Sequence, residues 1–311
     1  MDAGNQTQIR EFVLMGYPSH PSHQITLFLV FLAAYLITMI TNLTILILVV
    51  RDSRLHSPMY FFLSHLSFLD ICLSSTVVPK ILVNVVRQRQ TISYNGCLAQ
   101  VFFLIGFAVT EPALLAIMAY DRYAAICRPL HYTHLMSNRV CVMLASGLWL
   151  WGFLNSSVYT ALASKLSFCG VNLVAHIYCD VPPLMKIACG HAHADDLVNH
   201  ITSTFVGPVP FVFIILSYLY ILASILRLRS NLDRQRAFST CGSHITVVTL
   251  YIGNGFLNYN QPRAGYSLAT DTLVSSMFCI VTPMLNPLIY SLRNQEVREA
   301  LRKVLHRQRT G

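Results

Sequence analysis

The sequence predicts an all-α membrane protein: a seven-transmembrane helix bundle with its N-terminus outside and a short amphipathic C-terminal helix. Three observations predict it. Of the 311 residues, 54% are hydrophobic and only 11% are charged, less than half the roughly 25% charge of a soluble domain. Seven apolar runs each reach the ~20 residues that a spanning helix needs. Lys and Arg also segregate to alternate loops, as the positive-inside rule requires. The same composition excludes intrinsic disorder, which needs low hydrophobicity and high charge. The net charge of +9 is therefore read as loop charge, and nucleic acid is not an expected partner.

Residues 1–24 read as a polar outer tail carrying the acceptor Asn5-Gln6-Thr7, a glycosylation site if it lies outside. They show no basic region followed by a short apolar run and a small-residue cleavage site, so the first span is expected to serve as the insertion signal. The spans fall at about 25–50, 58–82, 98–121, 140–161, 200–226, 238–259 and 272–292, making one seven-span domain of 25–292. The first, from Ile25 to Val50, is nearly free of charge, and the fourth holds Trp149 and Trp151. Continuous apolar runs of this length are unlike the weak alternation of a membrane barrel. With the N-terminus outside, 15 of the 22 Lys and Arg residues lie on inner loops or the tail, and 7 outside. Further sequons at Asn42 and Asn155 fall within spans and read as chance matches.

The longest connection, 162–199, is an outer loop rich in cysteine. Cys97, Cys169, Cys179 and Cys189 fall on the outer side, where disulfides persist. They allow three pairings, which spacing does not resolve. A bridge from Cys97 would staple the loop over the bundle. The other five of the nine cysteines fall in spans or near the inner face and read as free thiols. The stretch His191–His200 reads as a solvated loop in preference to a metal site. Residues 293–311 form the cytoplasmic end, where Val297, Leu301, Val304 and Leu305 recur at helical spacing among basic residues. Such a helix can lie on an anionic inner leaflet. It contains no cysteine to palmitoylate.

The third span begins near Cys97 and ends Met118-Ala119-Tyr120-Asp121-Arg122-Tyr123; the 25 residues between Cys97 and Arg122 make roughly 37 Å of helix. The seventh holds Asn286-Pro287-Leu288-Ile289-Tyr290. Together with seven spans, these motifs resemble rhodopsin-like G-protein-coupled receptors. Longer stretches are similar to the olfactory receptors among them: Pro58–Leu63 with Leu66–Asp70, MAYDRYAAICRPLHY at Met118–Tyr132, AFSTCGSHITVV at Ala237–Val248, HIYCDVPPLMKIAC at His176–Cys189 and PMLNPLIYSLRN at Pro283–Asn294. The resemblance runs from about Asn5 to Arg298. The chain departs from the family's usual pattern at Thr41 (usually Gly), Gly242 (usually Ser) and Ile252 (usually Tyr, with Tyr251 one residue earlier). The Ile252 change puts the usual ligand-linked aromatic switch in question.

The resemblance implies disulfides Cys97–Cys179 and Cys169–Cys189. It implies a polar cluster of Asn42, Asp70, Glu111 and Asn286 that holds sodium or a proton; no other cofactor or metal is expected. A carboxylate at mid-membrane costs about 2.5 kcal/mol or more on insertion scales and is usually functional, which marks Asp70 and Glu111 independently. The activation switch implied is Asp121, Arg122 and Tyr123, with Tyr218, Asn286, Pro287 and Tyr290. Arg122 rests on Asp121 and is released to a G-protein helix, while Tyr218 and Tyr290 swing toward it. Pro210, Pro283 and Pro287 interrupt helix ladders and are candidate pivots.

A ligand pocket is expected around Leu104, Ile105, Ala108 and Val109, four to five turns outward of Arg122. The facing candidates are Asn199, Thr202, Ser203 and Val206 on the fifth span and Tyr251, Gly255, Asn258 and Tyr259 on the sixth. An apolar cavity with a few hydroxyl and amide handles is the common make-up of a ligand site. Many amine receptors carry Asp at the place of Leu104, so the expected ligand is a small, uncharged, mostly apolar odorant with an oxygen function. The resemblance further implies a stimulatory, olfactory-type heterotrimeric G protein that raises cyclic AMP, with membrane lipids and an arrestin or receptor kinase as further partners. It places the protein in the plasma membrane, in the cilia of olfactory sensory neurons. The alternative is a chemoreceptor of the same fold for a non-odorant molecule outside the nose. A transporter would show inverted halves, and an intramembrane enzyme a nucleophile or metal-ligand set; neither pattern is present, so no catalytic residue is assigned.

Overall fold

The computed structural model describes residues 9–15, 21–87, 90–168, 172–189, 208–227, 230, 241–251, 253–254, 268–293 and 295–307. Among them, six helices are long and apolar enough to cross a membrane. We label the main helices α1 (Pro21–Arg51), α2 (Pro58–Val86), α3 (Tyr94–Cys127), α4 (Asn138–Ser164) and α5 (Pro208–Leu226). The sixth span is helical over 241–251 and 253–254 and is called α6. Then α7 runs from Leu268 to Arg293 through a π-helical segment, Met277–Val281, and α8 is Gln295–Arg307. The first four helices and the seventh cover their apolar runs and extend beyond them, while the fifth and sixth are described over 208–226, 241–251 and 253–254, within theirs. At 1.5 Å per residue, the 34 residues of α3 extend about 51 Å against a hydrocarbon core of ~30 Å, so its ends stand in both polar faces.

Local chemistry sets several boundaries. Pro58 occupies the first turn of α2, where its missing N–H is not needed. The Ser93 hydroxyl caps α3 by accepting from the Gly96 amide at 3.2 Å. The helices pack around α3, which carries the largest share of buried positions. Its tightest neighbour is α4, where Gly152 meets Gly106 and Thr110: a Cβ added at Gly152 would stand 2.0 Å from Thr110 Oγ1 and 2.7 Å from the Gly106 carbonyl oxygen. Small residues at such crossings are how membrane helices approach closely. By contrast α1 and α5 turn large apolar side chains outward, Val50 being 78% and Tyr220 63% exposed, as lipid contact requires.

The outer face differs from the sequence expectation. The stretch assigned as a polar tail contains a strand, β1 (Glu11–Leu14), lying between β2 (Thr91–Ser93) and β4 (Leu173–Val174). Phe12 pairs opposite Ile92 in antiparallel register, and Leu14 opposite Val174 in parallel register. Phe12 and Leu14 are buried, forming a second core with Val101, Val174 and Leu184 above the bundle. Alternation within four residues is too short a signal to separate from tail. A further pair, β3 (Ser167–Phe168) with β5 (Ala188–Cys189), folds the long outer loop back on itself. Beneath the sheet the Cys97–Cys179 disulfide is present. Cys189 is also disulfide-bonded, and Cys169 lies outside the described residues.

Candidate functional site

At the inner end of α3, Asp121 is fully buried and accepts from both Nη2 (2.5 Å) and Nε (3.1 Å) of Arg122. Its second oxygen accepts from the Tyr132 hydroxyl at 2.8 Å. Burial, with the negative charge of Asp121 beside it, pushes the Tyr132 phenol above its ordinary pKa, so it remains a donor. Both oxygens of Asp121 are thus engaged, and Arg122 is held along its own helix. Tyr218 does not reach Arg122. Its hydroxyl lies 2.5 Å from His244 Nδ1 on α6, and the two rings stack. The Tyr290 side chain is fully buried and its hydroxyl has no hydrogen-bond partner among the described residues. Tyr123 packs edge-on against Tyr220 of α5. His244 had no role in the sequence reading, although it sits in the AFSTCGSHITVV stretch.

Half a membrane outward, the carboxyl, amide and proline positions meet. Asn286 Nδ2 donates to both oxygens of Asp70, at 3.1 and 3.2 Å. Asn42 Nδ2 donates to the carbonyls of Thr38 and Pro283. The second of these has a cause: Pro287 lacks the N–H that would close the Pro283 carbonyl four residues back, and a neighbouring helix supplies a donor. Acceptors are left over. Asn42 Oδ1, Glu111 Oε1 and Asn286 Oδ1 are buried without a partner among the described residues. All four residues are essentially inaccessible to solvent, and burying an unpaired polar atom is unfavourable. This acceptor-rich cage fits a small cation or an added proton.

On the outer half of α3, the four expected pocket residues do not share one environment. Leu104 and Ala108 join the main core with Ile177, Tyr178 and Phe278. Ile105 joins the outer core beneath the sheet, and Val109 is buried. Successive helix positions turn by about 100°, so 104 and 108 lie on one face and 105 and 109 on the next. Tyr251 faces the first pair: its hydroxyl donates to the Ala108 carbonyl at 3.0 Å, and its ring packs on Phe278. Asn199, Thr202, Ser203, Val206, Gly255, Asn258 and Tyr259 lie outside the described residues, as do Ile252 and Asn5. Pro210 stands in the first described turn of α5 and Pro283 in the turn after the π segment, while Pro79 and Pro112 are helix-internal prolines that the sequence reading passed over.

The outer loop contributes residues that the sequence reading missed. His176 is buried, its Nε2 2.8 Å from Ser275 Oγ of α7 and its Nδ1 2.9 Å from the Tyr178 carbonyl. Nδ1 lies within hydrogen-bonding distance of both the carbonyl and the amide of Tyr178, the latter at 3.3 Å, so the ring is fixed on the loop backbone as well as on α7. Tyr178 stands edge-on to the same ring and is buried in the bundle core. Gln100 ties the bridge down, accepting from the Cys179 amide and donating to the Thr76 carbonyl. The loop is thereby a fixed ceiling over Leu104 and Ala108. The signal for it was the uninterrupted apolar pair Ile177-Tyr178 beside a bridged cysteine.

Two inner-face features complete the geometry. Leu130, in the turn Pro129–His131, is 93% exposed, the most exposed large apolar side chain among the described residues. The C-terminal helix docks by burying Val297 and Ala300. The Tyr60 hydroxyl donates to Glu296, and Arg54, itself held by Asp52, reaches Glu299 at 3.2 Å. The Arg54 guanidinium holds the Asp52 carboxyl down to about 2.

A sequence profile described as "Olfactory receptor" matches residues 31–308. Olfactory receptor 5B21 of Mus musculus is 48% identical over 303 residues, 97% of this chain and 95% of that protein. Olfactory receptor 1G1 of Gorilla gorilla gorilla is 46% identical over 98% of this chain and 97% of its own length. Olfactory receptor 1F1 of Homo sapiens is 44% identical over 99% and 98%.

Proposed function

The chain belongs to the olfactory receptor family, a family of multi-pass membrane receptors and not of enzymes, and from that premise we propose what it detects and how it signals. Its ligand is a small, uncharged, mostly apolar odorant with an oxygen function, held between α3, α6 and the outer-loop ceiling. The observation that carries this reading is the apolar Leu104–Ala108 face of α3, with the phenol of Tyr251 against it. Asn199, Thr202, Ser203, Val206, Gly255, Asn258 and Tyr259 are proposed to complete the wall, with Ile105 and Val109 behind it. The transducer is a stimulatory, olfactory-type heterotrimeric G protein. Asp121 holds Arg122 in the resting bundle, and Tyr218, Tyr290 and Arg122 rearrange together when the inner ends of the helices part. Exposed Leu130 offers that partner an apolar contact. Olfactory neuron cilia are the proposed location, with arrestin and a receptor kinase as later partners.

Asn42, Asp70, Glu111 and Asn286 are proposed to hold sodium or a proton that favours the resting bundle; the three partnerless acceptors support this. A bound cation would supply positive charge to atoms that no donor reaches. The deciding experiment co-expresses the chain with a stimulatory G protein, applies an odorant panel and reads cyclic AMP. Uncharged oxygenated odorants should raise it, and Arg122→Ala should abolish the response at equal surface expression. If no odorant acts on well-expressed receptor, the reading falls to the alternative of a non-odorant chemoreceptor.

A further inference from the structure

We propose that the Tyr251 hydroxyl is a latch: it fastens α6 to α3 through the Ala108 carbonyl that Pro112 sets free, and the bond keeps the resting bundle closed. Pro112 lies inside α3. A residue at 112 would ordinarily donate its N–H to the carbonyl of Ala108, four back along the helix. Proline has no such hydrogen. In the hydrocarbon layer no water takes its place, so the carbonyl needs a donor from a neighbouring helix. Tyr251 meets that need at 3.0 Å. The same logic places Asn42 on the carbonyl freed by Pro287, a second proline gap closed by a side chain from another helix.

The position of the latch suits a moving part. Tyr251 sits on α6 between two other ties, Tyr218 to His244 toward the inner end and Asn254 Nδ2 to Thr282 Oγ1, 2.8 Å, toward the outer end. Its ring leans on Phe278 within the π-helical segment of α7, and such segments are frequent at functional sites. The family's usual tyrosine would stand one residue later, where this chain has Ile252. Moving it back one position turns the side chain by about 100°, giving this receptor its own arrangement. A ligand oxygen beside Ala108 would offer Tyr251 a second acceptor. Binding would then favour the unlatched state by the difference in its affinity for the two states. That last step rests on the ligand pocket proposed above; the latch itself does not, and its test uses no ligand.

The bond can be attacked from both ends. Tyr251→Phe removes the donor while keeping the ring. Pro112→Ala restores an N–H that competes with Tyr251 for the Ala108 carbonyl. Two readouts apply, at matched surface expression: basal cyclic AMP, and the rate at which a maleimide labels Cys241, which is buried on α6 beside Tyr218 and Cys127. Each single variant should raise both about two- to tenfold, the equilibrium shift expected from one neutral hydrogen bond. The double variant should show no more than the larger single effect, because both substitutions act through the same bond. Wild-type values for both readouts in Tyr251→Phe would overturn the latch, and so would multiplying effects in the double variant. Faster Cys241 labelling without a rise in cyclic AMP would uphold the latch and count against the proposed G protein instead.

Discussion

The acceptor-rich cage makes a quantitative prediction. Both amide nitrogens in it are committed: Asn286 Nδ2 to Asp70, and Asn42 Nδ2 to two carbonyls. Three buried oxygens remain without donors among the described residues. A sodium ion that binds there only in the folded bundle stabilises it by RT ln(1 + [Na]/Kd), or about 1.4 kcal/mol at ten times Kd. For a chain of this size that is a rise of ~3 °C in Tm. The assay is thermal unfolding of purified receptor in a sodium series, with N-methylglucamine holding ionic strength constant. The wild type should gain stability with each increment of sodium. Glu111→Gln places an amide N–H2 among the orphaned oxygens and removes a negative charge, so its curve should be flat and its Tm in N-methylglucamine no lower than that of the wild type. Equal Tm in the two salts for the wild type would refute the cation reading. A Glu111→Gln curve with the full wild-type slope would refute its placement at Glu111.

Three further outcomes are expected. Gly152→Ala drives a methyl to within 2.0 Å of Thr110 Oγ1 and 2.7 Å of a backbone oxygen; overpacking of this kind costs about 1–3 kcal/mol, and surface expression and Tm should both fall, whereas Gly147→Ala, with open space around it, should leave both unchanged. Leu130→Ala should weaken agonist-evoked cyclic AMP severalfold with normal surface expression and odorant potency in a binding assay, since the side chain touches little of its own protein. Glu296→Gln weakens the tie from Tyr60 to the C-terminal helix, and tryptic cleavage within Gln295–Arg307 should become severalfold faster.

The spans were legible because each rests on many residues acting alike: twenty apolar side chains announce a helix whatever its neighbours are. The seam between α3 and α4 was not. It depends on one glycine, Gly152, and a glycine in an apolar run has the same local meaning whether it faces lipid or a neighbouring backbone. The strand Glu11–Leu14 was hidden for a related reason. Its partners, Thr91–Ser93 and Leu173–Val174, lie about 80 and 160 residues away, and the Cys97–Cys179 bridge brings that outer loop into reach. Asp70, Glu111 and Asp121 stood out early because an ionisable group in a span needs a reason to be there. Their partners differ: the resemblance already groups Asn286 with Asp70, whereas Tyr132 on Asp121 becomes visible only when the helices are docked.

The prolines show where that boundary lies. A sequence states that a carbonyl four residues before each internal proline loses its intrahelical donor, and the lipid setting states that some group must replace it. These two facts make Ala108 and Pro283 predictable as needy carbonyls. What they leave open is the donor, since Tyr251 and Asn42 come from other helices and were assigned to ligand and ion sites on other grounds. Each of those side chains has a structural bond that any signalling role must break or keep. Tyr251 can serve a ligand only by giving up Ala108. Asn42, its nitrogen engaged on Thr38 and Pro283, can serve an ion only through its oxygen, which is the one of its two polar atoms the structure leaves without a partner. The atom available for signalling is thus fixed by which atom the folded helices have already used.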